Sequence, residues 1–93
     1  MIVLNGTDEM IDSKTGERIL VQLDEIYGPY IRVSTFQDGG ALEEVLDDVY
    51  YVLYWKGISE DLKGFGGNEY YFGGAADPVK LQVILDAIEL RWR

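Results

Sequence analysis

The chain has 93 residues, 17 acidic and 8 basic, with neither cysteine nor histidine and a net charge of −9. That composition excludes disulfides, zinc sites of the usual Cys/His kind, thiol nucleophiles and Ser-His or Cys-His relays. It also disfavours direct contact with nucleic acid or an anionic membrane, because both need a basic surface.

A hydrophobic fraction of 47% is that of a globular chain, and the length suits one α+β domain, 1–93, with a small core. No apolar run is as long as a membrane span. The opening Met1-Ile2-Val3-Leu4-Asn5 lacks the basic region and cleavage site of a signal peptide, so a cytoplasmic protein is expected.

Residues 1–4 are apolar and Asn5-Gly6 is a tight-turn signal. Residues 10–12 read as a brief strand and 13–16 as a turn. Residues 18–23 read as a strand in which Ile19, Val21 and Leu23 alternate with Arg18, Leu20 and Gln22. Gly28-Pro29 marks a turn. Residues 30–36 read as the next strand, with Tyr30, Arg32 and Ser34 on one face and Ile31, Val33 and Thr35 on the other. The N-terminal third is therefore expected to be an antiparallel meander of three to four strands.

Residues 37–40, Gln-Asp-Gly-Gly, are expected to lead into a helix over 41–57, with Asp38 at or near its cap. At 100° per residue, Leu42, Val45, Leu46, Val49, Val52 and Leu53 share one arc, and Glu43, Glu44, Asp47 and Asp48 the opposite one. Tyr51, Tyr54 and Trp55 then continue the acidic face. The carboxylates suit the positive end of the helix dipole, and Lys56-Gly57 suits a stop. A competing reading follows from the β-branched and aromatic run 49–55: a shorter helix that breaks into a strand near Asp48.

Ser59 is placed to cap one helical turn, and residues 69–72 read as a short strand bracketed by glycines. The last helix begins at Asp77 (N-cap) and Pro78 (first helical position). Gln82, Asp86, Glu89 and Arg93 form its polar stripe, and Leu81, Ile84, Leu85, Ile88 and Trp92 its apolar one. Arg91 and Arg93 suit its negative end. The expected architecture is a small antiparallel meander packed by two amphipathic helices, a two-layer α+β sandwich in the order β-β-β-α-β-α.

Three groups of residues invite a chemical reading. The glycines at 64, 66, 67, 73 and 74 lack the Lys-Ser/Thr pair of a phosphate loop and the G-x-G-x-x-G of a dinucleotide site, so they read as turn-formers packed near Tyr51 or Trp55. Glu43, Glu44, Asp47 and Asp48 lie along a helix rather than across a cleft and match no calcium loop. No metal, cofactor or enzymatic activity is expected from them. The aromatics of 50–55 and 65–72 divide between two readings, a loop folded over the helix to bury Tyr51 and Trp55, or anchors of a protein interface.

The expected function is that of a small acidic inhibitor that blocks a basic protein partner, a nucleic-acid-binding enzyme or complex included. Glu43, Glu44, Asp47 and Asp48 supply the charge contacts, Tyr51, Tyr54 and Trp55 the anchors, and Glu60 and Asp61 extend the patch. In size and charge the chain resembles toxin-immunity proteins and anti-defence inhibitors, anti-CRISPR proteins and other DNA mimics among them. That resemblance is one of type and implies carboxylates standing in for phosphates. The alternative expectation is a homodimer or larger homo-oligomer, structural or regulatory, paired through Tyr51, Tyr54 and Trp55. A ligand-binding domain would need a concave pocket that the sequence does not reveal.

Overall fold

The first hairpin pairs β1 (Gln22–Asp24) with β2 (Gly28–Thr35), setting Gln22 opposite Tyr30 and Asp24 opposite Gly28. The computed structural model that shows this describes residues 10–88. The expected elements at 1–6, and Glu89, Arg91, Trp92 and Arg93 of the last helix, lie outside those residues. The chain continues through α1 (Phe36–Asp48), β3 (Trp55–Gly57), a 3₁₀ segment (Glu60–Phe65), β4 (Gly66–Tyr71) and α2 (Pro78–Asp86). The four strands form one antiparallel sheet in the order β1-β2-β4-β3.

The expected α+β class, an antiparallel sheet with two helices, is what the chain adopts, in the order β-β-α-β-β-α. One strand fewer precedes the first helix because residues 10–12 make only an isolated bridge, Ile11 to Arg18, and the strand expected over 18–23 is shortened to Gln22–Asp24. The side chain of Gln82 takes the place of a strand there. Its Oε1 accepts from the Val21 amide at 2.8 Å and its Nε2 donates to the Ile19 carbonyl at 3.3 Å. With those backbone groups satisfied by α2, the regular ladder starts only at Gln22.

The central helix runs over Phe36–Asp48 rather than 41–57 as expected. Thr35, not Asp38, is the N-cap, and its Oγ1 accepts from the Asp38 amide at 3.1 Å. The Gln37–Gly40 stretch therefore forms the first turns of the helix, and the strand expected to reach Phe36 ends at Thr35. Gly39 is tolerated in a helix because the Tyr70 hydroxyl crowds it. A Cβ there would lie 2.8 Å from that oxygen.

At the other end, Val49, Tyr50 and Val52 are poor helix formers and no cation occupies the last turn. The chain turns out through Tyr51 in the left-handed region, φ 55°, while the Val52 amide donates back to the Leu46 carbonyl. Leaving the helix ends the 3.6-residue period, so Val49 and Leu53 are exposed rather than core. The shorter helix with a strand beyond it was the competing reading of these residues, and it is the one realised.

Ile31 and Val33 of β2 and Tyr70 of β4 point to the inner face, where Leu42, Val45 and Leu46 of α1 and Leu85 and Ile88 meet them. Each such side chain contributes about 1.5–3 kcal/mol on burial. Met10 and Ile19 close the same core. Two buried carboxylates tie the 10–19 hairpin to it. Asp12 accepts from the amides of Lys14, Thr15 and Ser34, and Asp38 accepts from the amide and hydroxyl of Ser13, both at 2.7 Å.

Gly67 in β4 has no space for a side chain. A Cβ would lie 2.3 Å from the Val33 carbonyl oxygen. α2 begins as its sequence dictates, with Asp77 accepting from the Val79 amide and Pro78 at the first position.

Candidate functional site

The break at Asp48 divides the expected acidic-aromatic face into two separate surfaces. Consecutive residues of a strand point to opposite sides. Tyr54 and Lys56 therefore face α1, and Trp55 faces away from it.

On the inner side, Glu43 is the hub. Its Oε2 accepts from the Tyr70 hydroxyl at 2.6 Å and pairs with Lys56 Nζ at 3.2 Å. One turn on, Asp47 accepts from the Tyr54 hydroxyl at 3.3 Å. The Tyr54 ring packs edge-on against Tyr70 and tilts against Phe72, so Tyr54 is a core-edge residue rather than a free anchor. Burial, then the Asp47 hydrogen bond, pushes the Tyr54 hydroxyl up to about 12. Burial, followed by Glu43, raises Tyr70 further still. Both phenols are thus neutral donors that hold carboxylates in place.

Glu44, Asp47 and Asp48 remain exposed, and no ion pair engages them among the described residues. They lie within the last turn and a half of α1, not the first two turns as expected from a start at residue 41. The negative end of the dipole disfavours the last of them by about 0.3–1 kcal/mol each. Directly beyond, Val49, Tyr50, Tyr51 and Leu53 are all exposed, Tyr51 by 79% and Leu53 by 89%. The loop 65–72 does not fold over Tyr51, contrary to one expectation. It forms the end of the 3₁₀ segment and β4 instead.

The outer face of the sheet carries a second constellation. Gln22, Tyr30, Tyr71 and Trp55 stand opposite one another across all four strands. The rings of Tyr30 and Tyr71 stack at 5.2 Å, and those of Tyr71 and Trp55 at 5.5 Å. Tyr27 meets both Tyr71 and Trp55 edge-on. One residue pair along, Arg32 is bound by Glu69 and Asp61. The Ser59 hydroxyl, then the Arg32 guanidinium, holds the Asp61 carboxyl below its ordinary value. Of the two residues expected to extend the acidic patch, Asp61 is therefore engaged on the outer face, and Glu60 pairs with Lys63.

Beside Arg32 lies an open cleft of about 430 Å³, lined among others by Asp12, Lys14, Arg18, Ser34 and Leu62. No concave site is legible in the sequence. This one is made by the 12–18 hairpin, β2 and the 3₁₀ segment, which are distant in sequence. Its Arg32 and Arg18 are bound to Asp61, Glu69 and Asp86, so both guanidinium groups of the cleft are already engaged by carboxylates.

Tyr27, Tyr30 and Arg32 are not singled out by the sequence as site residues, and Tyr71 is so only as one of the aromatics of 65–72. The alternation of Tyr30, Arg32 and Ser34 put them on one face, but only the β2–β4 pairing shows what joins that face. Among the described residues, no cluster of three acidic side chains is arranged to hold a metal ion, and no helix is long and apolar enough to cross a membrane. No family model matches the chain, and neither a curated protein nor a solved structure is similar to it.

Proposed function

We propose that the protein is a small, cytoplasmic, non-enzymatic interaction module that binds and blocks a basic protein, of the kind that itself handles nucleic acid. The observation that carries this reading is the concentration of locally unfavourable choices in one exposed stretch, residues 44–53. Carboxylates sit at the wrong end of a helix dipole, a tyrosine occupies a left-handed position, and four large apolar side chains face solvent. Each feature costs the isolated domain stability. Proteins break local rules in this way chiefly where function requires it.

The contact surface is Glu44, Asp47 and Asp48 with Tyr50, Tyr51 and Leu53. Carboxylates steer a cationic partner into register, and the apolar groups beside them supply the buried centre of an interface. Trp55 lies on the other side of the sheet and Tyr54 is tied to Asp47, so neither belongs to this contact. Anti-CRISPR, DNA-mimic and immunity proteins remain the nearest likeness in kind.

The test is a Glu44→Lys/Asp48→Lys double variant used beside the wild type as bait in host lysate, at low and high salt. A basic protein held by the wild type, released by salt and absent from the variant supports the reading. Equal capture by both baits overturns it. The variant is expected to melt no lower than the wild type, since a lysine at position 48 suits the dipole.

A further inference from the structure

We propose that the outer face of the sheet reads arginine: a guanidinium from a basic protein segment stacks on the indole of Trp55. The proposal rests on the partner being basic, and it adds a second contact on the opposite side of the sheet. Both described helices pack on the inner face with Ile31, Val33 and Tyr70, which leaves the outer face uncovered by either.

Three nearly parallel rings, Tyr30, Tyr71 and Trp55, stand in a row on this face, with interplanar angles of 18° and 15°. Trp55 ends the row and is 49% exposed. Among the described residues, Tyr71 is the one ring stacked on it. A planar group laid on its other side would continue the stack. Tyr27, set nearly at right angles to the row, braces the Tyr71–Trp55 pair edge-on. It is held firmly: Asp24 accepts from the Ile26 and Tyr27 amides, both at 2.8 Å.

Charge selects the occupant. The Tyr71 hydroxyl donates to Glu69 at 2.9 Å and lies in the field of Asp24. Burial first, then Glu69, pushes that phenol up to about 12. Glu69 is shared with Arg32, but no ion pair engages Asp24 among the described residues, so its carboxylate is the charge beside the row that a cation would meet. A nucleobase would also stack, but its phosphates would meet a chain of net charge −9. Guanidinium combines the planarity a ring prefers with the charge the carboxylates prefer, and it stacks where an ammonium group does not.

The experiment titrates the isotope-labelled chain with octa-arginine and octa-lysine peptides, following the indole N–H resonance of Trp55 and the affinities. Octa-arginine is expected to bind about two- to fivefold tighter than octa-lysine and to move that resonance. Trp55→Leu should equalise the two peptides, whereas Glu44→Lys/Asp48→Lys should weaken both alike. Equal affinities with an unmoved Trp55 resonance overturn the proposal. So does movement of that resonance with protein concentration alone, which would place a second copy there, or with oligo-thymidylate, which would place a base there. Loss of arginine preference in Trp55→Leu, with full binding kept by the double lysine variant, would retain this surface and discard the helix surface. The opposite pattern would do the reverse. Because the resonance is read on the wild type, the result does not depend on any variant folding.

Discussion

The hydroxyl of Tyr70, on a ring with 0% exposure, donates to Glu43 at 2.6 Å and leaves no room for a Cβ on Gly39. One oxygen thus fixes both a strand-to-helix bond and a glycine in the second turn of α1. Gly39→Ala alone is expected to be destabilising, although alanine is the better helix former by about 1 kcal/mol. Removing the oxygen with Tyr70→Phe should cost about 1–3 kcal/mol, since Glu43 loses its donor. In that background Gly39→Ala should become neutral or stabilising. A double-mutant cycle by urea unfolding gives the sign.

Tyr51 is a non-glycine residue in the left-handed region with an exposed ring. Tyr51→Gly relieves the strain and buries nothing less, so it should stabilise the free domain by about 1 kcal/mol. Thermal unfolding checks this. The same substitution should weaken partner binding, and the pairing of those opposite effects is what a contact residue would show.

Alkaline stability follows from the phenols. Tyr54 and Tyr71 are both pushed up to about 12 by burial and by carboxylate acceptors, above the ordinary 10. A raised folded-state value favours the neutral form. The contribution is complete below pH about 10 and is lost as pH climbs through 12. Unfolding should therefore set in across that window, and Tyr54→Phe should flatten the limb. Absorbance at 295 nm records the ionisation directly.

Acid stability depends on Asp12. Burial opposes its charge, yet hydrogen bonds from Ser34, Thr15 and Lys14 outweigh burial and hold the carboxyl below its ordinary value. A lowered folded-state value means the contribution is present above the unfolded pKa and is lost as pH falls through the folded one. Asp12→Asn should remove that part of the acid limb, read as a shallower fall of unfolding free energy as pH drops below about 4.

Gly67→Ala should be among the most damaging single substitutions. Its Cβ would collide with the Val33 carbonyl, which is backbone and cannot rotate away. The two central strands would have to separate. A loss of about 3 kcal/mol, at the upper end for overpacking, is expected by chemical denaturation.

Much of the fold was legible because it is local. The alternation in β2, the Asp77-Pro78 start of α2 and the turn at 13–16 each follow from a few adjacent residues. The limits of α1 were not. Its first turns contain two glycines, which read as a loop, and their helicity depends on Thr35 capping and on Asp38 binding Ser13. Its end looked helical because Val49, Val52 and Leu53 fall by chance on the aliphatic arc. At the site, the carboxylates of α1 were legible as charges. The separation of Tyr54 from Trp55 was not, since it needs the strand that replaces the helix's last turns. The aromatic row was hidden for a different reason: it is assembled by pairing between strands far apart in the chain.

That pairing has a kinetic side. β2 and β4 are the middle of the sheet, yet α1, the exposed connection, β3 and the 3₁₀ segment all lie between them in the chain. The two outer hairpins and the helix are short-range structures, each able to form early and to dissolve again. The central ladder must wait until that whole intervening length has been brought round, with its closure entropy unrewarded until then. Collapse of the inner core and completion of the outer aromatic row should therefore occur together, in one late event. The row's fluorescence should then appear with the same time constant as the core's amide protection, not ahead of it.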